Sequence, residues 1–214
     1  MAVAGRPNGG APEEGDNVEE QNYGVLEEDG LEDQLDHHTI PHLSAVVAAI
    51  ENEDVDALRR ALDDLNDMNI DINEAVEDSD TALHLACLYG QLPCVQLLLE
   101  RGAGLEIKDE DGAIPLHDAC AGGYKEIVQH LLSTARSPYL IKRMLETVES
   151  EGDTPLHHAA RGEHAEVIRI LLAAGADPKR RNIYGKTPVE LLDEDSDTRR
   201  IFEEFDSNVP GIIS

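Results

Sequence analysis

The 214-residue sequence predicts an all-α solenoid of about five stacked helix-turn-helix units joined by β-hairpin connections, preceded by a disordered acidic N-terminal tail. Three observations carry this. The tetrapeptide Thr81-Ala82-Leu83-His84 recurs as Ile114-Pro115-Leu116-His117, as Thr154-Pro155-Leu156-His157 and as Thr187-Pro188-Val189-Glu190, at steps of 33, 40 and 33 residues. Each of the first three copies is followed by a pair of small residues, Ala86-Cys87, Ala119-Cys120 and Ala159-Ala160, and then by a second apolar stretch. Hydrophobic residues make up 41% of the chain and aromatics only 3%, with no Trp, so the core is built from Leu, Ile, Val and Ala. Self-similarity at such a period marks a repeat architecture, in which each unit buries its apolar face against its neighbours.

Residues 1–40 are read as the tail. They carry 11 acidic residues and one basic residue, Arg6, among Gly, Pro and Asn, and too few apolar side chains to offset the entropy of ordering. Val25, Leu26, Leu31 and Leu35 form the one patch there that could dock as a short helix. From residue 41 the pattern changes. The run from His42 to Ile50 is apolar and helix-friendly, and Val55, Leu58, Ala61 and Leu62 follow at helical spacing. Two short helices with a polar turn from Glu51 to Asp54 form a degenerate first unit, 44–76. The 37-residue step from Ser44 to Thr81 predicts an enlarged connection around Met68 to Val76.

The units that follow are 81–113, 114–146, 154–186 and a truncated closing unit, 187–206, within a repeat domain at 41–206; 207–214 form a C-terminal tail. Thr at the start of a helix caps free backbone N–H groups. Pro at the first helical position has no N–H to lose. Small residues at the paired position let two helices approach closely. Cys94-Val95, Ile127-Val128 and Val167-Ile168 place the second helices, each with a Leu three residues on (Leu98, Leu131, Leu171). Gly90, Gly123, Gly102 and Gly175 end helices in the left-handed conformation. Four departures stand out. Ile114 replaces the capping Thr. Glu163 replaces the helix-ending Gly and must itself take positive φ or change the turn. The third unit is seven residues too long, with the excess inside Ser133–Leu145, where Leu140, Ile141, Met144 and Leu145 predict a helical turn that lengthens the second helix or packs on it. The closing unit ends in Arg199–Phe205, a second helix with a polar outer side.

These residues resemble the ankyrin repeat, with its 33-residue period and T-P-L-H-x-A signature, over 81–192, and in degenerate form over 41–76 and 187–206. The resemblance implies that the motif His links neighbouring units by hydrogen bonding. It implies a protein-binding surface at the hairpin tips and the exposed, concave side of the first helices. Carried over position by position, that surface comprises Leu85, Asp118 and His158 after the motif His; Leu88, Tyr89 and Arg161 further along the helices; and Glu110, Asp111, Ile183 and Tyr184 at the tips. Leu88, Tyr89 and Tyr184 are the expected anchors, since aromatic and apolar groups dominate interface energetics. The stretch from Ala176 to Gly185, with few repeats and an insertion before the last full unit, also resembles small acidic ankyrin proteins that escort a newly made small-subunit ribosomal protein. Those carry a long C-terminal tail that this chain lacks, and here the acidity is N-terminal.

Charge selects among partners. With 45 acidic and 17 basic residues the net charge is −28, which repels nucleic acid and attracts basic protein. Lys179-Arg180-Arg181 is the one basic cluster, on a predicted hairpin. No catalytic, cofactor-binding or metal-ligating set is recognisable. Asp109-Glu110-Asp111-Gly112 lacks the spacing of a calcium loop and reads as a hairpin tip. The nine histidines lack zinc-ligand spacing. Cys87 and Cys120 fall at the small-residue position, and no Ser elbow or phosphate loop occurs. The N-terminus has no apolar secretory stretch, no apolar run approaches membrane-spanning length, and three cysteines make no disulfide framework. The expectation is therefore a non-enzymatic, monomeric interaction module in the cytoplasm and/or nucleus, without cofactor or membrane. It would bind one basic protein as adaptor, ribosomal-protein escort, or inhibitor of an enzyme or transcription factor.

Overall fold

A computed structural model describes residues 39–77 and 79–208. The predicted tail at 1–40 lies outside the described residues except for Thr39 and Ile40, which open α1, and so does the C-terminal tail beyond residue 208.

The first unit is α1 (Thr39–Glu51) and α2 (Val55–Asp67). The turn between them needs one residue at positive φ, and Glu53 supplies it at 53°. Asp54 then caps α2, its carboxylate accepting from the Ala57 N–H at 2.8 Å. Leu58, Ala61, Leu62 and Leu65 are the buried stripe of α2. The enlarged connection leads into β1 (Ala75–Glu77) and β2 (Asp80–Thr81), an antiparallel pair with Ala75 opposite Thr81. These are the only strands among the described residues. The expected hairpins at the later connections are shorter. Each is a five-residue tip closed by two backbone bonds to its first residue: Asp109 N–H to Ala113 O (3.0 Å) with Gly112 N–H to Asp109 O (3.2 Å), Glu149 to Asp153 (3.2 Å) with Gly152 to Glu149 (2.9 Å), and Asn182 to Lys186 (2.9 Å) with Gly185 to Asn182 (3.0 Å). Both bonds of a tip end on the same residue, so the chain turns there without a ladder of strands.

The remaining units repeat one plan. The second is α3 (Ala82–Leu88) and α4 (Leu92–Glu100); the third is α5 (Pro115–Ala121) and α6 (Lys125–Thr134). The fourth is α8 (Pro155–Arg161) and α9 (Ala165–Ala173). The closing unit reduces its first helix to a 3₁₀ turn, Pro188–Leu191, before α10 (Arg199–Asn208). First helices pack in one row, α1, α3, α5, α8 and the 3₁₀ turn; second helices pack in another, α2, α4, α6, α9 and α10. The core lies between the rows. Leu83, Leu116 and Leu156 from the first row and Val95, Leu98, Val128, Leu131, Ile168 and Leu171 from the second are all sealed from solvent. The three cysteines are free thiols buried in this layer.

The insertion does not lengthen α6. It forms a separate helix, α7 (Pro138–Glu146). Pro138 cannot continue a helix, and it pushes the preceding Ser137 into extended backbone (φ −139°, ψ 143°). Ser137 Oγ then caps α7 by accepting from the Leu140 N–H at 3.1 Å. Met144 and Leu145 fasten α7 to the core.

Glu163 is the other departure with an energetic consequence. Its φ of 53° stands where Gly90 (74°) and Gly123 (73°) end α3 and α5. A side chain in this region is strained, whereas glycine is at ease. Glu163→Gly is expected to raise stability by about 0.5–1 kcal/mol, after the entropy that glycine adds to the unfolded chain. Urea denaturation checks it; a loss of stability would mean that the Glu163 side chain makes contacts worth more than the strain.

Candidate docking face

The start of each first helix is organised by the motif residues. Nδ1 of His84 accepts from the Thr81 N–H (3.2 Å), so Nε2 carries the proton and donates to the Ala113 carbonyl of the next tip (3.4 Å). His157 does the same with Thr154 (3.1 Å) and the Lys186 carbonyl (3.1 Å). Burial lowers the pKa of both rings, which keeps them neutral. His117 takes the Ile114 N–H (3.1 Å), but its Nε2 is buried without a hydrogen-bond partner among the described residues. Burial, then the neighbouring His158, pushes it down to about 4. In the closing unit Glu190 stands in for histidine, accepting from the Thr187 N–H at 2.8 Å.

These caps set the rotation of the first helices and so decide what each presents. The slot after the motif His holds Leu85, Asp118 and His158. Leu85 is only 3% exposed and belongs to the core, so it is removed from the contact residues: at the second unit this slot is covered. Asp118 and His158 are half-buried. Three residues further on come Leu88, Ala121 and Arg161, then Tyr89, Gly122 and Gly162, all exposed. Leu88 is 45% and Tyr89 43% exposed, adjacent at the end of α3. At the tips Glu110 and Asp111 are exposed, and Ile183 and Tyr184 are about two-thirds exposed (66% and 63%).

The fourth unit and the tip before it carry a polar network that the sequence did not reveal. The Asp153 side chain is 0% exposed. One oxygen meets Arg161 and the other accepts from Asn182 Nδ2 at 2.7 Å. Arg161 also lies 3.7 Å from Glu151, which accepts from the Tyr184 hydroxyl at 3.2 Å. Glu149 folds back on its own tip, accepting from the Asp153 N–H (3.0 Å) and the Glu151 N–H (2.8 Å). Glu149, Asp153 and His158 bring ligand-type atoms within 4.8 Å of one another, but both Asp153 oxygens are already engaged. The basic cluster stays exposed and pairs with the closing unit: Arg181 with Glu190 (3.0 Å), and Lys179 lies 3.8 Å from Asp206.

Asp118 is the opposite case. Its Oδ2 is buried without a partner among the described residues. Burial, followed by the charges of Asp80 and Asp109, raises the carboxyl to about 8 from an ordinary 3.8. A carboxyl raised by folding stabilises fully below its unfolded value, and that contribution is lost as pH rises towards the folded value. Asp118→Asn is therefore expected to leave the melting temperature unchanged below pH 4. At pH 8 it should raise stability by roughly 1–3 kcal/mol. Melting curves of both proteins across that range check it; parallel curves would contradict it.

Two grooves among the described residues are lined without a nucleophile–base pair. A groove of about 410 Å³ between α9 and α10 is lined by Arg169, Leu172, Ala173, Ile201, Glu204 and Phe205. Another of about 220 Å³ beside α2 is lined by Leu62, Leu65, Asn66, Ile70, Asp71, Ile72 and Arg101. Neither brings a nucleophile to a base. No described helix is long and apolar enough to cross a membrane.

The family model for ankyrin repeats (3 copies) matches residues 45–139 and 107–182, more than half of the chain. The chain belongs to the ankyrin-repeat family. Among curated proteins it is 50% identical over 52 residues to protein phosphatase 1 regulatory subunit 27 of Mus musculus, covering 24% of this chain and 34% of that one. It is 30% identical over 99 residues to the Notch-regulated ankyrin repeat-containing protein of Xenopus laevis, covering 46% of this chain and 87% of that one. The human form of the latter is 30% identical over 88 residues, 41% of this chain and 77% of that one. The chain thus spans about a third of the phosphatase subunit it matches. Ankyrin repeats are protein–protein interaction modules.

Proposed function

We propose that this ankyrin-repeat protein is a non-enzymatic module that binds one basic protein partner through its hairpin tips and the exposed side of its first helices. The observation that carries the reading is the coincidence of exposed Leu88, Tyr89, Ile183 and Tyr184 with acidic tips, in a chain of net charge −28. Such a surface combines aromatic anchors with long-range attraction for a cationic partner. The acidic N-terminal segment adds to that attraction. Its three buried free thiols fit a reducing compartment, and the module works as a monomer in the cytoplasm and/or nucleus.

A second reading is regulation of an enzyme or transcription factor by occlusion. It draws on a relative named as a phosphatase regulatory subunit. The resemblance to ribosomal-protein escorts supports a third, in which the partner gains solubility. The two are separated by whether the partner loses activity or stays soluble.

The test is affinity capture of the tagged full-length chain across a salt series, with and without residues 1–40. One dominant basic protein, lost as salt rises, is the expected result, and removal of the acidic segment should slow association and flatten its salt dependence. Capture of a neutral or acidic protein that resists salt would overturn the basic-partner reading.

A further inference from the structure

The two halves of the docking face dispose of their negative charge differently. In the fourth unit the carboxylates are met from within, Asp153 by Arg161 and Asn182, and Glu151 by Arg161 and Tyr184. One unit earlier the slot that holds Arg161 holds Ala121, and one unit before that Leu88. No described cation is paired with Asp118. Its Oδ2 stays enclosed and unpartnered, which native structures rarely leave unexplained. Asp118 lies against α3, near enough to Cys87 for its charge to raise that thiol. Leu88 follows Cys87 directly, and Leu88 and Tyr89 leave the end of α3 exposed. Beyond them Ala121 and Gly122 are exposed, with the Tyr124 ring against Gly122, and neither brings a cation to Asp118 as Arg161 does to Asp153 in the next unit.

We infer that Asp118 is the docking carboxylate for a lysine or arginine side chain of a basic partner segment, with an apolar residue of the same segment seated on Leu88 and Tyr89. This rests on the basic-partner reading above and gives it a location. Charge complementarity supplies the occupant: the groups whose charge bears on Asp118 are Asp80 of β2 and Asp109 of the following tip, both acidic, with Glu110 and Asp111 exposed beside the latter. A cation at a half-buried carboxylate forms a charge-assisted hydrogen bond in a medium of reduced dielectric.

Docking at this carboxyl has a measurable by-product. Held up to about 8, Asp118 is mostly protonated at pH 7, and an arriving cation displaces that proton. The other titrating groups around it are the buried thiols of Cys87 on α3 and Cys120 on α5, both raised and silent at neutral pH. On the α8 side the corresponding slots carry His158, lowered by burial, and Arg161, always charged. Affinity should therefore rise with pH between about 6 and 8, by up to tenfold per unit, and one proton should leave per complex.

The experiment uses the full-length chain and an array of 12-residue peptides. Each has a central arginine or lysine with a leucine two or three residues away. The strongest binder is measured by calorimetry at pH 7 in two buffers of different ionisation enthalpy. Asp118→Asn is expected to weaken binding at least tenfold and abolish the proton release. Leu88→Ala, a surface change that leaves the core intact, should weaken it severalfold, and Glu203→Gln on α10 should leave it within twofold. Binding indifferent to Asp118→Asn and Leu88→Ala, or without proton release, would overturn the inference while sparing a basic partner docked elsewhere. Absence of any binder in the array would overturn both.

Discussion

Leu116→Ala is expected to cost roughly 2–5 kcal/mol. Leu116 has no solvent exposure and stands at the middle of the stack, on α5, between the buried Leu83 of α3 and Leu156 of α8. A repeat array has no distant core to compensate; each unit is held by its own packing and that of its two neighbours. A cavity at the third unit therefore weakens both of its interfaces. Equilibrium urea denaturation reads the loss directly. A near-neutral result would mean that the third unit is out of register with the second and fourth, and with it the placement of every docking residue.

Arg161→Ala is the second large effect, expected at about 2–3 kcal/mol. The Asp153 side chain is fully buried, whereas that of Arg161 is half exposed. Truncating the cation leaves a buried carboxylate with Asn182 as its remaining side-chain donor. Losing one partner of a buried pair commonly costs 3–5 kcal/mol, and the partial exposure of Arg161 places this case below that range. Replacing both Asp153 and Arg161 by leucine is expected to recover part of the loss, because the uncompensated charge goes with the pair. A double variant as unstable as the single would show that Arg161 acts through packing of its stem instead.

The repeat plan was legible because it is written in spacing. Leu83, Leu116 and Leu156 announce the first helices, and Val95, Val128 and Ile168 the second, at intervals that only stacked units satisfy. The absence of glycine at Glu163 left positive φ or a changed turn, and the chain takes positive φ. Two features were not legible. The insertion was read as a turn that either lengthens α6 or packs on it; Ser137-Pro138 decides between these, because it breaks the helix and starts another. Leu85 was placed on the surface because Asp118 and His158 occupy its slot one and two units on; the second unit covers that position and takes it into the core. Nor could spacing disclose the Arg161–Asp153–Asn182 network, since Asp153 and Asn182 lie in turns 29 residues apart and pair only when adjacent tips stack. Asp118 was read as a contact residue of the exposed side; its burial near Asp80 and Asp109 is a property of the assembled face.

The central claim is that one face of this ankyrin stack, the first-helix ends and the tips, receives a protein partner. Hydrogen exchange of the full-length chain, alone and with the captured partner, tests it most directly. The account predicts protection at 80–90, 109–122 and 182–185, with the second helices α4, α6 and α9 unchanged. Protection confined to α4, α6 and α9, with the tips exchanging as in the free chain, would contradict it.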